Sequence, residues 1–302
     1  MNTKDLRQLR HFVTVADELH FGRAAERLSM TQPPLSQSIL DLEKKLGFRL
    51  FDRNKRNVSL TPVAALWLPY VKSVLHDVEH LPNVALRLEK GEIGTVCLSF
   101  VGSAIYSVLP GLVASYKNKF PQVEVTLRES TTDLQIRGLL SRDIDVGIII
   151  PSHDSVLPSE LNSKIIKSEP LVIAAPADML QGQLHLDCED LIELSSVISL
   201  PLILFPRDFS PGLYDLIIRY FELRGLKPVF GQQAVQMQTM ISLVSQNMGY
   251  ALVPSSMKNL TRRGVFYFSI KGACPTIETA IAWNAHGESP AVTALVGLAL
   301  TL

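Results

Sequence analysis

The chain has 302 residues, of which 47% are hydrophobic and 19% charged; this excludes a disordered polypeptide and leaves room for two or three domains with their own cores. Basic and acidic side chains balance at 29 each, yet residues 1–61 hold 11 basic against 7 acidic ones, so the remainder carries the acidic excess. A basic head on an acidic body points to a polyanionic partner for one part only.

In chain order, Leu6, Leu9, Phe12, Val13 and Ala16 recur at helical spacing and predict a first helix. FGRAAERL, residues 21–28, predicts a short second helix with Ala24, Ala25 and Leu28 inward; the small residues let another helix cross closely. SMT breaks the pattern. QPPLSQSILDLEKKLG then places Leu35, Ile39, Leu42 and Leu46 on one stripe, with Gly47 as the stop. FRLFDRNKRNVSLT sets Leu50, Phe51, Val58 and Leu60 around a basic tip, Arg53–Asn54–Lys55–Arg56, and predicts a two-stranded ribbon. From Thr61, a cap followed by Pro62 at the first helical position, a helical stretch runs to about Lys90. Its seam of Leu66, Tyr70, Val74, Val78 and Leu81 is one that a lone helix would expose, and pairing with a second copy covers it. Pro69 and Pro82 predict a kink at each, or a break near Pro82.

Beyond Gly91 short β-branched runs alternate with helical ones. Strands are predicted at 95–101, 122–129, 143–150, 170–176, 201–205, about 228–231, 250–254, 264–270 and 276–283. Helices are predicted at 103–120, 132–140, 186–194, 211–225, 236–247 and from Pro290 onward. This alternation predicts α/β units with mainly parallel sheets, in two subdomains.

The helix–break–helix over residues 21–46, followed by a basic ribbon, describes a winged helix-turn-helix whose second helix enters the DNA major groove. Opposite its buried stripe lie Pro33, Gln37, Leu40, Asp41 and Lys44, with Ser36 at the flank. Gln reads adenine edges, Ser either strand, and an aliphatic group meets a thymine methyl. Arg53, Lys55 and Arg56 neutralise phosphates. Pro33 and Pro34 are tolerable at a helix start, where amides lack intrahelical partners. With Thr31 as cap, its hydroxyl has no amides to receive at those two positions and is left for water or a phosphate, beside Gln32. The bland alternative is a helical hairpin with a solvated charge run.

AAERL–TQPPLSQSI–LE–LG–LF–R–R–V–LT resembles, nearly position for position, the N-terminal domain of LysR-type transcriptional regulators. The chain departs from that pattern at Val63–Ala64, where the family usually has a glycine, and at Pro82. Past residue 90 the resemblance is looser. It implies two Rossmann-like subdomains of periplasmic-binding-protein type with an effector between them, and a linker helix that pairs chains into a homodimer or homotetramer on an interrupted palindrome. The expected organisation is a DNA-binding head at 1–61, a linker helix at 62–90 and an effector-binding region at 91–302. Within the last, subdomain I takes about 91–165 and 270–302, and subdomain II about 166–269.

In open α/β sheets ligands sit beyond the carboxyl ends of strands, where helix N-termini favour anions. Gly102 and Ser103 follow one such strand and Ser130, Thr131 and Thr132 another; Phe205, Pro206 and Arg207 follow a third and are expected to close over the ligand. The alternative is that these hydroxyls are only caps. FVGSAIYSVLP is most similar to the benzoate- and muconate-responsive branch, and on that resemblance Ser103 and Thr132 match positions that hold the effector carboxylate. That branch has an arginine where this chain has Ile150. The expected effector is therefore a monocarboxylate, with aromatic acids among the candidates.

Other motifs carry less. His76 and His80 in HDVEH lie one turn apart but lack a third ligand, so a solvated face is the expectation and no metal site is assigned. No nucleophile elbow, P-loop or GxGxxG appears, so no catalytic residue and no cofactor is expected. Cys97, Cys188 and Cys274 are too scattered for a disulfide framework or zinc site. MNTKDLRQLRHF lacks a signal-peptide core and no apolar run spans a bilayer, so the cytoplasm is the expected setting. A transport solute-binding protein would need a secretion signal and no basic head. An α/β enzyme with a helical appendage would need a catalytic constellation.

Overall fold

A computed structural model describes residues 3–54, 57–151, 157–176, 191–286 and 288–301. The chain divides into two compact units, Met1–Leu86 and Arg87–Leu302.

The first unit packs α1 (Thr3–Glu18), α2 (Phe21–Arg27) and α3 (Gln32–Leu46) around Phe12, which is fully buried. The ring of Phe12 lies 5.7 Å from Phe51 and 5.2 Å from Trp67, so one aromatic cluster joins helix, wing and linker. His20 opens α2: its Nδ1 accepts from the amides of Gly22 and Arg23, both at 3.1 Å. α3 buries Leu35, Ile39 and Leu42. Leu46 is only half-buried, and Glu43 completes the inner face in its place. Glu43 accepts the amides of Leu50 at 2.7 Å and Phe51 at 3.2 Å, which fixes where the wing leaves α3. Gly47 ends the helix at φ +79°, a conformation that suits glycine. The wing is a hairpin of β1 (Phe51–Asn54) and β2 (Asn57–Leu60), paired from Phe51↔Leu60 to Asn54↔Asn57.

α4 (Pro62–Glu89) runs as one helix through both internal prolines, without the break expected at Pro82. Thr61 Oγ1 accepts from Ala64 N at 3.2 Å to cap it. Ala64, Val71 and Leu75 are buried against the first three helices and the wing, while Lys72 bonds Asp17 at 2.8 Å. Its other face is open: Leu66 is 76% exposed, Tyr70 73% and Leu81 60%.

The second unit opens with a parallel β–helix–β–helix–β segment. β3 (Ile93–Phe100) leads through a 3-10 turn to α5 (Val108–Lys119), then β4 (Gln122–Glu129), α6 (Thr132–Ser141) and β5 (Val146–Ile149). The single helix predicted over 103–120 is broken at Ser107 (φ −129°, ψ −102°), which places Pro110 in the first turn of α5, where its missing donor costs nothing. Next comes β6 (Leu161–Pro176), a 16-residue strand of which only the second half was predicted. Its first half alternates polar and apolar residues irregularly and is largely exposed.

β7 (Leu191–Ile192) replaces the end of the helix expected over 186–194; residues 177–190 lie outside the described residues. The chain goes on through β8 (Pro201–Leu204), α7 (Pro211–Glu222), β9 (Val229–Gln233), α8 (Met237–Val244), β10 (Ala251–Pro254), β11 (Val265–Ile270), β12 (Thr276–Asn284) and α9 (Pro290–Ala299).

Strand order in the main sheet is β4-β3-β5-β12-β6-β11-β7, with β10 also on β6. β3 pairs parallel with β4 and β5, and β8 with β9, but β12 and β6 run antiparallel to their neighbours. The sheets are thus mixed, not mainly parallel, because β12 returns late in the chain to fill the gap between β5 and β6. Two large cores result, one under β3–β5 and α9, the other under β8, β10, α7 and α8.

Replacing Glu43 by Ala strands two buried amides, and the expected loss in urea unfolding is about 1–3 kcal/mol for each donor left unpaired; Glu43→Gln, which keeps an acceptor, is expected to lose less.

Candidate functional site

Two surfaces gather the residues singled out in the sequence. On the first unit, Thr31, Gln32, Pro33, Gln37 and Leu40 are exposed and Ser36 half-buried, all along one side of α3. Thr31 is the N-cap in extended conformation and makes no side-chain capping bond. Pro33 and Pro34 fill the second and third helical positions, where such a bond would find its donors. Gln37 Nε2 donates to Asp41 Oδ1 at 2.9 Å, so this reader is held along the helix. Behind α3, His11 Nδ1 lies 2.8 Å from Ser38 Oγ and Gln8 Nε2 donates to the Ser38 carbonyl at 3.3 Å. Burial, with Arg7 nearby, pushes the His11 imidazole below its ordinary pKa. Arg53 lies in β1, with its side chain outside the described residues; Lys55 and Arg56 lie outside them altogether.

In the second unit an open cavity lies beyond the carboxyl ends of β3, β4, β5 and β8. One wall is Val101, Gly102, Ser103, Ser130, Thr131, Thr132 and Ile150; the facing wall is Phe205, Phe209, Ser210, Leu213, Val235, Gln236 and Met237. Three helices of eight residues or more begin on it: α6 with Thr131 as N-cap, α7 with Ser210 and α8 with Gln236, and none of these cap side chains bonds its own helix amides. No lysine or arginine is among the described lining residues.

The hydroxyls are held differently. Ser103 is buried, and its Oγ has no hydrogen-bond partner among the described residues. Thr132 Oγ1 accepts from Ile150 N at 3.2 Å, which ties α6 to the end of β5. Thr131 donates to Asp133, which also receives Arg137 at 2.6 Å. Burial opposes ionisation of Asp133, but these hydrogen bonds outweigh it and hold the carboxyl below its ordinary pKa. Gln135 is fully buried beneath, with Nε2 donating to the carbonyls of Ser130 at 3.0 Å and Ile148 at 3.1 Å.

Gly102, Ser103, Thr131, Thr132 and Phe205 therefore line one cavity. Pro206 and Arg207 do not: Arg207 forms a two-pronged pair with Asp215, both bonds at 2.8 Å, and no cation is among the described lining residues. The sequence reading missed Phe209, Ser210 and Gln236–Met237, although Ser210 before Pro211 was a legible helix start.

Residues 6–65 match the family described as "Bacterial regulatory helix-turn-helix protein, lysR family", and residues 89–301 match "LysR substrate binding domain". The chain belongs to the LysR family. This LysR-type protein is 45% identical over 294 residues to the HTH-type transcriptional regulator IlvR of Caulobacter vibrioides, covering 97% of each chain. It is 28% identical to the regulator BenM of Acinetobacter baylyi over 85% of this chain and 82% of BenM. The structure of full-length CbnR complexed with its target DNA shares the fold, with TM-score 0.79 at 23% identity over 97% of this chain and 98% of CbnR. The LysR-type chain is a DNA-binding transcriptional regulator with a substrate-binding domain, not an enzyme. Among the described residues no helix is long and apolar enough to cross a membrane.

Gln135→Leu is expected to cost about 1–2 kcal/mol in urea unfolding, because two carbonyls lose their donor while one unpaired acceptor, Gln135 Oε1, goes with it. Gln135→Ala is expected to cost more, since it also opens a cavity.

Proposed function

We propose that this LysR regulator senses a small carboxylate held between its two regulatory subdomains and reads an interrupted palindromic operator through α3 as a homodimer or homotetramer. The observation that carries the effector reading is the meeting of three uncapped helix starts, α6, α7 and α8, on one cavity. Free amides and helix dipoles favour an anion there. Ser103 and Thr132 supply hydroxyl contacts from one wall. Ile150 offers no charge for a second carboxylate, so a monocarboxylate fits better than a diacid.

For the DNA reading, Thr31, Gln32, Pro33, Ser36, Gln37 and Leu40 form the groove-facing side of α3. Gln37 exchanges Asp41 for a base edge, and Arg53, Lys55 and Arg56 of the wing meet phosphates. The domain limits proposed above, 1–61, 62–90 and 91–302, follow these roles. α4 pairs with its copy along Leu66, Tyr70, Val74 and Leu81, whose exposure supports a buried seam in the oligomer. Effector binding shifts the balance between two subdomain arrangements in proportion to its unequal affinity for them. The protein works in the cytoplasm, where its DNA is.

Binding to the DNA upstream of its own gene, measured at two salt concentrations, tests the regulator reading: affinity is expected to fall steeply with salt. Gln37→Ala is expected to relax sequence preference and cost about 1–3 kcal/mol of discrimination. Thr31→Val is expected to weaken operator binding without changing preference. A thermal-shift screen with benzoate-like and aliphatic monocarboxylic acids is expected to find stabilisation that Ser103→Ala removes. Stabilisation by sugars alone would overturn the carboxylate reading.

A further inference from the structure

The cavity described above has a neighbour. A second hollow adjoins it and shares four of its lining residues, Thr132, Ile150, Phe209 and Ser210. The two differ in chemistry. The first is rimmed by hydroxyls and helix starts. Beyond the shared residues, the second is faced by the apolar side chains of Ile136, Pro151, Leu157 and Pro211. The charged side chain among its described lining residues, Asp133, is taken up by Thr131 and Arg137. The step from one hollow to the other is short. Thr132 and Ile136 lie four residues apart on α6, hence on one side of the helix and roughly 6 Å apart along its axis. Thr132 Oγ1 is tied to the Ile150 amide, so the start of α6 and the end of β5 hold this passage from one wall. Phe209 lines both hollows from the facing wall. It is 44% exposed and packs into none of the hydrophobic cores among the described residues. An exposed aromatic that serves no core, beside an apolar hollow that adjoins a polar one, describes a route for an apolar chain.

We propose that the effector is a monocarboxylate with an apolar tail of several carbons, its carboxylate in the first cavity and its tail in the second hollow. This rests on the reading of the first cavity as the effector site. The carboxylate takes the helix starts beside Ser103 and Thr132. The tail passes Ile150 and Phe209 and lies against Ile136 and Leu157. A short acid leaves the second hollow to water. Each methylene added to the tail and buried there raises affinity roughly fourfold. A diacid of the same length brings a second carboxylate toward Asp133 and forfeits that gain by carrying charge into an apolar place.

The test is isothermal titration of the full-length protein with butanoate, hexanoate, octanoate, octanedioate and 1-octanol. Octanoate is expected to bind at least about tenfold more tightly than butanoate, with hexanoate between them, and at least about tenfold more tightly than octanedioate. Gly212 lines the second hollow but not the first, and it lies in the first turn of α7. Gly212→Leu is expected to bring octanoate to the level of butanoate while leaving butanoate binding and the melting temperature nearly unchanged. Ile136→Phe fills the same hollow from α6 and replaces it should Gly212→Leu lower the melting temperature. Monocarboxylates that bind equally, or more weakly with length, overturn the tail and leave the carboxylate reading standing. A preference for octanoate that both variants keep, or octanedioate binding as tightly as octanoate, overturns the second hollow as the place of the tail. 1-Octanol binding as tightly as octanoate removes the carboxylate reading and with it the proposed class of effector. Failure of every compound to bind overturns both.

Discussion

The long strand β6 is the constraint on which the regulatory unit depends. Its first half pairs with β12 from Asn284↔Leu161 to Thr276↔Pro170, and its second half pairs with β10 and β11 from Leu171 to Pro176. One strand thus belongs to both subdomains, and the change of partners falls at Glu169–Pro170–Leu171. Glu169 is buried there and accepts from Ser255 Oγ, Ser256 N and Ser256 Oγ at 2.6–3.0 Å, anchoring the turn that follows β10. With the backbone continuous across the junction, the strand ends of one subdomain and those of the other face a common cavity. The helix starts lining that cavity converge because the strands before them are referred back to β6 through their neighbours: β4 through β3, β5 and β12, and β8 and β9 through the Leu202–Tyr250 bridge that precedes β10.

The cavity is built with little fixed charge. Its polar groups are hydroxyls, amide ends and helix starts, and the nearest cation singled out by the sequence, Arg207, is held by Asp215. Dipoles in a partly desolvated cleft discriminate by position more than by strength. A site of this kind suits a small ligand whose charge is local enough to be met by helix starts and hydroxyls. The fixed pairs beneath it, Thr132 to Ile150 and Gln135 to two carbonyls, keep the dipoles in place before any ligand arrives.

Much of this was legible in the sequence where periodicity and punctuation agree. The DNA head follows from Leu35, Ile39 and Leu42 at helical spacing, Gly47 as a stop and Thr61–Pro62 as a start. Strand ends with Ser103 and Thr132 were legible because hydroxyls and glycines cluster there. What was not legible depends on partners distant in the chain. Residues 161–169 form a strand only because β12, more than a hundred residues later, supplies its hydrogen bonds; locally their pattern is that of a polar loop. The predicted parallel sheets became mixed for the same reason. Val71 and Leu75 are buried because α4 packs on Phe12, while the predicted seam on its other face stays open. Pro69 and Pro82 leave α4 continuous: the missing bonds are single rungs in a long ladder, and the residues beside them are exposed, so water can satisfy the freed carbonyls.

The two prolines at the head of α3 and the uncapped starts around the cavity answer the same problem in opposite ways. Every helix begins with amides that need partners. In α8 those amides remain, and in α6 all but that of Leu134, which is met by Asp133; the cap side chains leave the others free, and on the proposed reading the backbone itself is part of the binding site. In α3 prolines occupy the second and third positions, and two amides are removed instead of being satisfied. An anion gains less from the backbone at that helix end. On the proposed reading its contacts come from the Thr31 hydroxyl and from Gln32, Ser36 and Gln37, groups whose hydrogen bonds depend on direction. A helix start stripped of general anion affinity suits a surface that must distinguish base sequences along a uniformly charged polymer, whereas starts that keep their amides suit a pocket that captures one small molecule.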